Sequence, residues 1–156
     1  MNVGRLCQRK VITVRPADPL TAAARLMREH HIGYLIVVET EVSRGSGSGS
    51  LLKPVGVLTD RDIVITVVAK ETDPSVLTCG DIMNTQPLTV SETESIESAL
   101  QMMRRAGVRR LPVLGHAGEL AGVLSLDDVI DALAAEIASV ASTIRNERQI
   151  EGVLRS

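Results

Sequence analysis

The chain contains itself twice. Residues 11–38, VITVRPADPLTAAARLMREHHIGYLIVV, lie over residues 87–114, PLTVSETESIESALQMMRRAGVRRLPVL, when Thr13 is set on Thr89, a shift of 76. Ala23/Ala99, Met27/Met103, Arg28/Arg104, Leu35/Leu111 and Val37/Val113 are identical in that frame, and Gly4 falls on Gly80. Further on, GVLTDRDIV at 56–64 matches GVLSLDDVI at 122–130, now at a shift of 66. The first copy therefore carries 10 extra residues, inside ETEVSRGSGSGSLLKP at 39–54, which reads as a loosened, flexible Gly/Ser hairpin loop. A repeat found this way constrains the fold more than any local propensity. Whatever one copy forms, the other is expected to form too.

Each copy shows the same order of patterns. Residues 11–14 are β-branched and read as a strand, and a turn with Pro16 and Pro19 follows. Leu20, Ala23, Ala24 and Met27 make a helical stripe over 20–30. Ile96, Ala99, Leu100 and Met103 repeat it, with Ser91 or Thr93 available as a cap. Short apolar runs at 34–38 and 111–114 read as buried strands, followed by strands at 55–58 and 120–124. Helices then occupy 60–70 and run onward from 126. The fold class is α+β, with two β-α-β-β-α units, residues 3–70 and 79–135, joined by a linker at 71–78. A unit of about 60 residues buries too little surface to be comfortably stable alone. The two should pack as one pseudo-two-fold pair.

The second copy's last helix outruns the repeat into an extension at 136–156. Ile130, Leu133, Ile137, Val140 and Ile144 follow 3-4-3-4 spacing, a seam that packs either on its own unit or, in a homodimer, on a second copy.

The chemistry concentrates where the third strand of each copy enters its second helix. Both junctions read Gly-apolar-apolar-Thr/Ser-x-x-Asp, with Thr59 and Asp62 in one and Ser125 and Asp128 in the other. A hydroxyl at the N-cap and a carboxylate three residues on form a capping box. The same start can hold a phosphate on free N–H groups while the carboxylate accepts ribose hydroxyls. One such motif is weak; two in matching positions are not.

In these residues, and in HIGYLIVV and VRRLPVL before them, the chain resembles a stand-alone tandem pair of CBS (cystathionine β-synthase) domains, a Bateman module, over roughly residues 3–135. The resemblance implies a non-catalytic sensor. Such pairs have two clefts that bind adenosine-containing ligands, namely AMP, ADP, ATP, NAD or S-adenosylmethionine, and they usually dimerise. Carried over, Asp62 and Asp128 would hold ribose hydroxyls, and Thr59 and Ser125 would face phosphate with Arg61 beside the first site. Ile12 with Thr13, and Leu88 with Thr89, would flank the base. His31, Gly33 and Tyr34, and Val108, Arg109 and Arg110, would complete each base pocket. The adenine nucleotide would be a regulatory ligand rather than a catalytic cofactor, and the regulated protein is not named by the sequence. The rival reading is an interaction or dimerisation module with vestigial clefts.

Other classes find little support. One tyrosine, no tryptophan and no phenylalanine leave no stacking platform for nucleic acid, and the net charge of −2 supplies no basic surface. The apolar run at 63–69 is far short of a membrane span and MNVGRLCQRK lacks a signal-peptide core, so the expectation is cytoplasmic. Cys7 and Cys79 fit no metal spacing and read as reduced thiols, His30–His31 reads as a solvated helix end, and no nucleophile–base arrangement suggests an enzyme.

Overall fold

The structure is a computed structural model, describing residues 1–42 and 50–147 in full and 148–154 as backbone. Its elements are α1 (Val3–Leu6), β1 (Thr13–Val14), α2 (Leu20–His30), β2 (Tyr34–Val42), β3 (Ser50–Thr59) and α3 (Asp60–Ile63). After these come α4 (Cys79–Ile82), β4 (Asn84–Thr85), β5 (Val90–Ser91), α5 (Ile96–Ala106), β6 (Arg110–Leu114), β7 (Leu120–Ser125) and α6 (Leu126–Leu154). The α+β class and the long C-terminal helix are as expected.

The duplication is visible in detail. In one sheet β1 runs parallel to β2, which runs antiparallel to β3; in the other β5, β6 and β7 repeat this. A bulge falls after Val37 in one ladder and after Val113 in the other, 76 residues apart. Both repeat helices end on a left-handed residue at equivalent positions, His31 (φ 53°) and Gly107 (φ 66°). Glycine adopts that conformation without the cost a histidine bears.

Three local expectations are corrected. The insertion does not open into a loop at 39: β2 and β3 stay paired out to Val42 and Ser50, with an ion pair between Glu41 and Lys53 across the ladder. Thr40, Val42, Leu51 and Leu52 suit an extended backbone. Residues 43–49, with most of the Gly/Ser run, lie outside the described residues. The helix at 60–70 is α only through Ile63 and then widens into a π-helix at Val64–Val68. Its six consecutive residues from Ile63 to Val68 are all β-branched, the types that crowd an α-helical turn. Alanine-rich α6 has no such run and stays α-helical. Finally, α5 is capped by Ser95, whose hydroxyl accepts from the Ser98 N–H at 3.1 Å; Ser91 and Thr93 hydroxyls bond to each other instead.

The packing units are not the two sequence halves. The segment leading into each copy crosses to the other. Val3 and Gly4 in α1 donate to the carbonyls of Glu94 and Glu92 at 2.9 and 2.8 Å, and Gln8 pairs with Val123 in both directions. In the same way α4 donates to Asp18 and Pro16, and β4 pairs with β3. Val3 and Cys7 are therefore buried with Val90, Met103, Leu111 and Leu124, whereas Cys79 is buried with Val14, Leu20, Leu35 and Leu58. The motif glycine makes the crossing possible: a Cβ on Gly122 would lie 2.7 Å from the Gln8 carbonyl oxygen. Both cysteines are free and sit in different cores. Burial, with the Asp18 charge, pushes the Cys79 thiol up to about 11, and burial raises Cys7 as well. Both are thiols at neutral pH. Among the described residues, no helix is long and apolar enough to cross a membrane.

Candidate functional site

Both Thr/Ser-x-x-Asp junctions form the expected capping box. The Asp62 N–H donates to the Thr59 hydroxyl at 3.1 Å, while the Thr59 N–H and hydroxyl both donate to Asp62 Oδ2, at 2.9 and 2.7 Å. Ser125 and Asp128 do the same at 3.1, 3.0 and 2.5 Å. The hydroxyls are thus committed to the carboxylates, and one oxygen of each Asp is taken up by its own helix start. A third copy of the motif, Thr78-x-x-Asp81 at the start of α4, makes the same cap and lines neither of the clefts described below. The motif alone is a cap. What distinguishes Asp62 and Asp128 is where they stand.

They stand in two clefts, of 510 Å³ and 370 Å³, within the range of small-molecule sites. The first is lined by Gly33, Tyr34, Thr59, Arg61 and Asp62 from the first copy and by Leu88, Val108, Arg109 and Arg110 from the second. The second is lined by Ser125 and Asp128 with Arg110 from the second copy and by Ile12 and Tyr34 from the first. Each cleft therefore joins the helix start of one repeat to the strand-entry residue of the other, Leu88 in the first and Ile12 in the second. Tyr34 lines the second cleft as well as the first. Pseudo-two-fold packing of the two repeats brings the strand entry of each to the helix start of the other. Thr13, Thr89 and His31 line neither cleft. Thr13 is drawn into the β1–β2 ladder, Thr89 stands beside β5, and His31 is spent as the exposed C-cap of α2.

Charge separates the clefts. The first is lined by Arg61, Arg109 and Arg110 against Asp60 and Asp62. The second has Lys10 and Arg110 against Asp127, Asp128 and Asp131. The second also holds a residue that sequence reasoning missed. Gln8 Nε2 donates to Asp128 Oδ1 at 2.8 Å, so both oxygens of Asp128 are engaged. Burial works to raise the Asp128 carboxyl, but the bonds from Ser125 and Gln8 and the Arg110 charge outweigh it and hold it below the usual carboxylate range. Gln8 stands 120 residues from Asp128, and only the crossing of the N-terminal segment brings it there. Its repeat equivalent, Asn84, lines the first cleft with a shorter side chain.

Tyr34 and Arg110 line both clefts, and the Arg110 guanidinium lies 5.9 Å from the Tyr34 ring centroid, a cation–π contact. They are equivalent positions of the two repeats and form the wall between the clefts. Burial pushes the Tyr34 hydroxyl well above its ordinary range, against a smaller opposing effect of the Arg110 charge.

Comparison with known proteins agrees with this architecture. The CBS domain family model matches residues 3–69 and 79–135. An uncharacterized protein of Methanopyrus kandleri is 32% identical over 130 residues, 83% of this chain and 61% of that protein, so the chain spans about three-fifths of its length. Hypoxic response protein 1 of Mycobacterium tuberculosis is 36% identical over 129 residues, 83% of this chain and 78% of that one. The crystal structure of Hypoxic Response Protein I, which carries two coordinated zinc ions, superposes with a TM-score of 0.70 at 31% identity, covering 84% of this chain and 98% of that one. Among the described residues here, no group of three or more His, Cys, Asp or Glu gathers that could hold a metal ion. A CBS domain pair crystallised with 5′-methylthioadenosine and S-adenosyl-L-methionine shares the fold, with a TM-score of 0.68 at 21% identity over 85% of this chain and 99% of that one. With both repeats matched and the pair folded face to face, the chain belongs to the CBS domain family, as a tandem pair.

Proposed function

We propose that this CBS pair is a non-catalytic sensor that binds adenosine-containing ligands in its two clefts and passes on their presence as a change in the relative placement of its repeats. The observation that carries this is the composition of the first cleft. It sets a helix-start carboxylate with one oxygen outside the cap, three arginines and the apolar residues Leu88 and Val108 around one 510 Å³ space. A carboxylate suits paired ribose hydroxyls, arginines suit phosphate, and aliphatic side chains suit a purine. Because each cleft takes groups from both repeats, a ligand that grips both sides favours one relative placement over others, which is a population shift. The solved CBS pair with two adenosine derivatives is in keeping with this class of ligand. The charges further favour phosphorylated ligands such as AMP, ADP, ATP or NAD in the first cleft. Uncharged or cationic ones such as S-adenosylmethionine are favoured in the second, where a ligand's ribose must displace the Gln8 amide from Asp128. Calorimetric titration with these five compounds is the test. Dissociation constants below about 1 mM support the reading, and none below it removes it.

A second copy of this chain is the proposed partner. Ile130, Leu133, Ile137, Val140 and Ile144 are exposed along one stripe of α6, and Val64, Ile65 and Val68 are exposed at the equivalent place in the first repeat. Apolar surface of that extent at matching positions of both repeats suits a two-fold interface. Light scattering at micromolar concentration is expected to give twice the 16.7 kDa chain mass, and Ile137→Glu with Val140→Glu to halve it. A wild-type monomer contradicts the dimer.

A further inference from the structure

We propose that Arg110 is a single cation shared by the two clefts, so that an anionic ligand in one weakens the binding of a second anion in the other. This rests on the nucleotide reading above. Arg110 begins β6 and lines both spaces, lying against Tyr34, which also lines both. The wall between the clefts thus carries one guanidinium that faces two sites.

A guanidinium turned toward a phosphate on one side is withdrawn from the other. The loss matters unequally. The first cleft keeps Arg61 and Arg109 when Arg110 turns away. Among the described residues the second keeps only Lys10 against Asp127, Asp128 and Asp131, a lining that repels a second anion. Linkage makes the effect reciprocal, whichever cleft fills first. A neutral ligand does not compete for the guanidinium, so it binds each cleft without regard to the other. The pair therefore accepts one phosphorylated and one uncharged adenosine ligand together more readily than two phosphorylated ones.

The experiment compares the second cleft's affinity for AMP with the first cleft filled and with it disabled. The filled value is the second binding event of the wild-type protein, and the disabled value comes from Asp62→Ala, which removes the carboxylate of the first cleft altogether. The filled value is expected to be about tenfold weaker, within the usual range of coupling between sites. With Arg110→Met in both backgrounds the two values should agree within about twofold, and with adenosine in place of AMP they should agree in every background. Equal values in the wild type overturn the proposal. So does a difference that persists in Arg110→Met, or a second cleft that takes no AMP even in Asp62→Ala. Absence of AMP and adenosine binding to any form removes the underlying nucleotide reading, and the coupling with it; binding without coupling removes the coupling alone.

Discussion

Asp62→Asn will weaken adenine-nucleotide binding in the first cleft by about tenfold or more while costing less than about 1 kcal/mol of stability. The two effects separate because the two carboxylate oxygens have separate tasks. Oδ2 accepts the Thr59 N–H and hydroxyl and so belongs to the cap. An asparagine carbonyl oxygen accepts the same two donors, and Asn is tolerated at helix starts. The other position changes from an acceptor to an NH2 donor, which cannot receive ribose hydroxyls. A hydrogen bond to a charged group contributes about 1.5–3 kcal/mol, and even the lower figure is a factor of ten. Asp62→Ala removes both tasks and is expected to lose the affinity and about 1 kcal/mol of cap stability together. Calorimetry gives the affinity and urea denaturation the stability. If Asp62→Asn binds like the wild type while Asp62→Ala is merely less stable, Asp62 is a cap and nothing more, as Asp81 is in α4.

Val3→Ala will cost about 2 kcal/mol and will loosen the second repeat rather than the first. Val3 is fully buried, packed with Val90, Met103, Leu111 and Leu124, although it precedes the first repeat in the chain. Its methyl groups fill space in the distant core, and the shortened side chain leaves a cavity there. Hydrogen exchange is the informative readout. Loss of protection concentrated in β6, β7 and α5 is expected; loss concentrated in β2 and β3 contradicts the crossed packing.

The sequence made the repeat unit legible because duplication doubles every signal. A weak stripe at Leu20, Ala23 and Met27 becomes firm when Ile96, Ala99 and Met103 repeat it. The order of elements and the two helix starts follow from the aligned residues, whereas the strand pairing and the two equivalent bulges come from the structure. What was hidden depends on contacts that alignment does not order. The crossing of 3–8 onto the second repeat is one case: Gly4 over Gly80 shows that the segments are equivalent, yet nothing local says which core each one enters. Gln8 on Asp128 and the cross-repeat composition of each cleft follow from that crossing and from the face-to-face packing. His31 carried two readings, a solvated helix end and a base-pocket residue, and the structure agrees with the first. Its place before a buried strand resembles a pocket residue, but the turn out of α2 needs a left-handed residue there, and that fixes its side chain outside. The π-helix at Val64–Val68 was open to a stricter reading, since the run of β-branched residues was in plain view.

Binding of adenosine ligands through residues drawn from both repeats is what the proposed sensor requires of its clefts. Calorimetric titration of the full chain with AMP tests it most directly, because heat and stoichiometry are read without a label. Binding tighter than about 1 mM is expected, with the stronger event abolished by either Asp62→Ala or the pair Arg61→Ala and Arg109→Ala, although Asp62 and Arg109 belong to different repeats. No heat of binding up to several times that concentration, for AMP and for the other four adenosine compounds, would contradict it.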